Sequence, residues 1–109
     1  MEKIYNKLVR DKIPEIIKRD NELPITKILN DEDYKKALED KLYEEYREVL
    51  NATGNDRIEE LADMLEIIKA LAELENKKLT DVIEAAKKKT KKRGAFNKRI
   101  YLEKKIPKE

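Results

Sequence analysis

Glu45 and Glu48, then Glu60 and Asp63, make two pairs of acids with three-residue spacing in the stretch LYEEYREVLNATGNDRIEELAD, residues 42–63. Carboxylates gathered in this number repel one another and take up protons unless cations neutralise them. The chemistry they suit is the binding of hard divalent cations, which prefer oxygen ligands. Each pair alone also has a plain reading, since acids at i,i+3 commonly form solvated helix faces with Lys or Arg partners. The question is therefore whether the two pairs meet in space.

Helical periodicity argues that they do. At about 100° per residue, Tyr34, Leu38, Leu42, Tyr46, Val49 and Leu50 form one apolar stripe, with Glu45 inside it and Glu48 about 60° round on its edge. A second arc holds Ile58, Leu61, Met64, Leu65, Ile67, Ile68, Leu71 and Leu74, with Glu60 inside and Asp63 on the edge. Glu44, Glu59 and Glu66 supply the polar backs of both helices. Gly54 reads as the C′ residue of the first helix, and Asp56 as the N-cap of the second, with Glu59 at the capping-box position. So short a connection makes antiparallel neighbours. At ~1.5 Å per residue, Glu48 and Glu45 lie ~8 and ~12 Å before the turn, and Glu60 and Asp63 ~6 and ~10 Å beyond it. The spacing predicts a cluster of four carboxylates and, with it, a metal site.

The same residues resemble a known family. EEYRE followed by EELAD resembles the ExxE…ExxD signature of the MazG-like nucleotide pyrophosphohydrolases. YNKLVRDKIPEII near the start and KKRGAFNKRIYLE near the end resemble the small phosphoribosyl-ATP pyrophosphohydrolase-like branch of that family. The resemblance spans most of the chain. The 11 residues between Glu48 and Glu60 are few for the family and predict a tight turn. The resemblance implies hydrolysis of a nucleoside triphosphate between its α- and β-phosphates, giving a nucleoside monophosphate and pyrophosphate. Glu45, Glu48, Glu60 and Asp63 would then hold Mg²⁺, with Mn²⁺ as a substitute. Phosphoribosyl-ATP hydrolysis is a narrower alternative. A non-catalytic helical interaction module and a small nucleic-acid binder using residues 87–99 are alternatives of other classes.

Composition narrows the chemistry. The chain has no Cys, His, Trp, Ser or Gln, which removes disulfides, thiolate zinc sites, Ser or Cys nucleophiles and imidazole catalysis. It also excludes di-iron carboxylate bundles, which need Glu-x-x-His on two helices. Charged residues make up 46%, yet the net charge is only +2, a balance without general attraction for nucleic acid. No apolar stretch reaches membrane-spanning length and the N-terminus lacks a signal-peptide apolar region, so a cytoplasmic protein without membrane contact is expected.

Residues 1–109 read as one all-α domain, a helical bundle with short extended segments at its ends. Pro14 opens a short helix to Arg19, Asn30 or Asp31 caps the helix of the first acid pair, and that helix ends near Thr53. Its partner spans about Asp56 to Asn76, and Thr80 caps a last helix ending at Gly94. Residues 87–94, KKKTKKRG, have the plain reading of a solvated helix end, yet Lys89 and Arg93 continue the face expected to pack inward, from where they could reach a phosphate, and the family resemblance implies substrate-binding basic residues in this region. Lys7, Arg10 and Lys12 would meet either substrate or a partner subunit. The helix after Asp56 is apolar over roughly 200° of its wheel, more than one packed face needs, so a homodimer or higher homo-oligomer is expected.

Overall fold

A computed structural model describes all 109 residues as four helices and no strands. They are α1 (Ile13–Arg19), α2 (Asp31–Asn51), α3 (Gly54–Leu74) and α4 (Leu79–Arg93). Local chemistry accounts for their ends. Pro14 sits in the first turn of α1, where its missing N–H costs nothing. Asn30 caps α2 by accepting from the Asp33 N–H at 2.8 Å, and Asp31, Glu32 and Asp33 place negative charge at the positive end of the helix dipole. Both α1 and α3 stop on an asparagine with positive φ, Asn21 at 62° and Asn76 at 59°. In each, the next residue's N–H reaches back to the helix (Glu22 to Ile17 O, Lys77 to Ala72 O), satisfying a terminal carbonyl.

The α2–α3 connection is tighter than the sequence suggests. Only Ala52 and Thr53 separate the helices. Gly54 does take the expected positive φ, 58°, but it opens α3 instead of closing α2. Asp56 therefore lies in the first turn of α3 and is not its cap. The Arg57 side chain donates to Ala52 O at 2.9 Å and satisfies a carbonyl at the turn.

The α2–α3 hairpin is the packed part of the molecule, with Leu38 and Ile67 buried between the helices. Elsewhere the chain is open. It extends 70 × 33 × 23 Å with a radius of gyration of 19.1 Å, against about 13 Å for a compact domain of this length. Its accessible surface is 11008 Å², where a folded monomer of this mass exposes about 6300 Å². Helix α4 meets only α3, and every residue from Thr80 to Arg93 is exposed. The inward face expected for α4 is thus not packed in this chain. Its cap also differs: Asp81 accepts from the Lys78 N–H at 2.8 Å, and Thr80 is inside the helix. The segments before α2 and after α4 form no strands. No helix is long and apolar enough to cross a membrane.

Candidate metal centre

Register in the hairpin decides which acids meet. Because α3 starts at Gly54, Glu60 lies ~9 Å along it, level with Glu45 at ~9 Å from the end of α2. Glu48 lies one turn nearer the connection. Carboxylate oxygens of Glu45, Glu60 and Asp63 all come within 4.8 Å of one another. Glu48 is not among them. It is exposed and lines a shallow groove on α2 with Asp40, Tyr43, Glu44, Arg47 and Asn51. Three of the four expected acids are therefore brought together; the two-residue turn sets Glu60 level with Glu45 and leaves Glu48 one turn nearer the connection, outside the group.

Glu45 is the centre of this group. It is the one charged residue that is buried, with 7% of its surface exposed, and its Oε2 is shielded from solvent without a hydrogen-bond partner. Burial pushes its carboxyl up from 4.5 to about 7. The neighbouring Glu60 carboxyl and the negative charge of Asp63 push the same way, while Lys41 opposes them. Glu60 and Asp63 are half-buried, so the group opens toward solvent on the α3 side of Glu45. An orphaned carboxylate oxygen facing two further carboxylates is a donor set that fits a hard divalent cation.

Two cations from the N-terminal segment complete the surroundings. The Arg10 Nη2 donates to Asp63 Oδ1 at 2.8 Å, and Lys7 Nζ to Glu44 Oε1 at 3.1 Å. Residues 1–10 have no helix or strand of their own, so these contacts tie an irregular arm across both hairpin helices. Periodicity carries no signal for them, since the arm is not periodic and the pairs are 53 and 37 residues apart. Lys12 makes no ion pair. Lys89 and Arg93 are exposed on α4 and likewise unpaired. Compared with protein-family models, curated proteins and solved structures, the chain matches none of them.

Proposed function

We propose that the protein is a Mg²⁺-dependent nucleoside triphosphate pyrophosphohydrolase, with Glu45, Glu60 and Asp63 holding the ion and Mn²⁺ able to replace it. The observation that carries this reading is the buried, unpartnered Glu45 Oε2 facing two other carboxylates across the hairpin. A group of this kind is unfavourable in itself and becomes favourable once a divalent cation is bound. The resemblance of EEYRE and EELAD to the MazG-like signature supplies the reaction class.

Hydrolysis would add water across the phosphoanhydride between the α- and β-phosphates. The bond to the bridging oxygen breaks, and a nucleoside monophosphate and pyrophosphate leave. The bound ion supplies charge neutralisation and a lowered pKa for water. Glu45 fixes the depth of the site because it is the buried member of the group. Glu60 and Asp63 set the opening through which phosphate oxygens approach. Glu48, one turn away, lies outside this group. Lys89 and Arg93 bind substrate in this reading once another surface brings α4 beside the hairpin.

That other surface belongs to a second copy. Ile58, Leu61, Ala62, Met64, Leu65 and Ile68 line an open apolar groove of about 450 Å³ on α3. The surface exceeds that of a compact monomer by about 4700 Å², more than the roughly 1000–2500 Å² that each partner of a large obligate interface buries. A homodimer or higher homo-oligomer accounts for both. The test of the activity is a panel of nucleoside triphosphates and phosphoribosyl-ATP assayed with Mg²⁺ or chelator. Monophosphate and pyrophosphate are expected with Mg²⁺ only. Orthophosphate from the γ-position as first product contradicts the reading.

A further inference from the structure

The N-terminal arm puts a fixed cation where a divalent ion would add its charge. Arg10 contacts Asp63, a member of the carboxylate group, and Lys7 contacts Glu44 one residue from Glu45, so the arm touches α3 and α2 together. Leu8, between them, is half-buried. Of the cations in the chain, Arg10 alone pairs with a carboxylate of the group. Both pairs are solvent-accessible, with side chains 37–54% exposed. Exposed pairs are weak and exchange readily.

We propose that Arg10 is a built-in counter-cation that divalent ion binding displaces, so that residues 1–12 are clipped to the hairpin in the ion-free protein and released in the loaded one. This rests on Glu45, Glu60 and Asp63 being the ion site. Charge competition drives the exchange. Asp63 is stabilised by one neighbouring positive charge in the ion-free state. An ion coordinated by the same carboxylate brings two more charges within a few ångströms of the guanidinium, and these repel it. The contest is uneven because Arg10 pairs with one half-buried carboxylate, whereas the ion gains the buried oxygen of Glu45 as well. A released Arg10 keeps its planar donors free beside ion-bound phosphate, which suits them for two-point contact with phosphate oxygens. The arm would thus be held until the ion arrives and then serve the substrate.

The test uses the full chain and two readouts. The first is the initial rate of tryptic cleavage after Lys7, with chelator and with saturating Mg²⁺. The second is Mn²⁺ affinity from the spin-resonance signal of the free ion, for the parent, Arg10→Ala and Arg10→Lys. The latch predicts two- to fivefold faster cleavage of the parent with Mg²⁺, the range expected from releasing a pair of about 0.4–1 kcal/mol. Arg10→Ala should be cleaved fast in both conditions and should bind Mn²⁺ about two- to fivefold more tightly. Arg10→Lys, which keeps the charge, should fall between. A parent that binds Mn²⁺ without any rise in cleavage overturns the latch and leaves the ion site standing. So does an Arg10→Ala variant that binds Mn²⁺ tenfold or more weakly, because Arg10 would then be orienting Asp63 for the ion. A parent that does not bind Mn²⁺ overturns the ion site and the latch together.

Discussion

The hairpin and the basic helix carry comparable densities of charge and treat it in opposite ways. On α2 and α3, packing of two helices holds Glu45 buried and sets Glu60 and Asp63 against it. On α4, Lys87, Lys88, Lys89, Lys91, Lys92 and Arg93 stand in solvent, and only Lys87 pairs, with Glu84 one turn away. The lesson is that a charged residue becomes part of a site when a second element fixes it at a cost. Glu45 is so fixed within one chain. Lys89 and Arg93 are not, and they gain a role only if another copy or a substrate comes to them.

Removing one side of this contrast should have the larger effect. Glu60→Gln keeps the shape of the hairpin but takes away a carboxylate, and steady-state kinetics should show at least about a hundredfold loss of pyrophosphohydrolase activity, as expected for an ion-site group. A loss under tenfold would place the chemistry elsewhere.

The pH dependence of ion-free stability sharpens the comparison. The Glu45 carboxyl titrates at about 7 in the folded chain and at 4.5 when unfolded, so the folded state holds this proton more tightly. The resulting stability is fully present below about pH 4.5 and is lost as pH rises through about 7. The difference corresponds to about 3 kcal/mol. Urea melts in chelator should show this fall, and Glu45→Gln should abolish it.

The smallest effects belong to the basic helix and the groove. Arg93→Ala and Lys89→Ala should raise KM by about tenfold or less with little change in kcat, as for residues that bind ground and transition states alike. A drop in kcat matching that of Glu60→Gln would erase the distinction between the two regions. Leu61→Asp and Leu65→Asp in the apolar groove should lower the mass seen by light scattering while Mn²⁺ binding persists. A parent that is already monomeric at micromolar concentration contradicts the assembly.

What was legible in the sequence follows from how far each feature depends on distant partners. The long helices and the inward position of Glu45 and Glu60 follow from periodicity within each helix. The exclusion of Glu48 does not. It turns on whether Gly54 ends α2 or begins α3, a shift of a few residues that moves Glu60 along its helix by a fraction of a turn. The Arg10–Asp63 contact joins an irregular arm to a helix 53 residues on, and nothing local encodes it. Helix α4 has an apolar face by spacing, with Val82 and Ile83 on it, yet both remain exposed. Periodicity says which face can pack and is silent on whether anything in the same chain meets it.

Thermal melting of the parent and Glu60→Gln at pH 8, each with Mg²⁺ and with chelator, tests the central claim most directly. If Glu45, Glu60 and Asp63 form an ion site, Mg²⁺ at a hundred times its dissociation constant stabilises the parent by ~2.7 kcal/mol, provided the unfolded chain does not bind it. Glu60→Gln, relieved of one repelling charge, should match or exceed the parent in chelator and lose most of the gain from Mg²⁺. A Glu60→Gln protein less stable than a parent that is itself indifferent to Mg²⁺ would show that Glu60 serves the fold, and would contradict the metal centre.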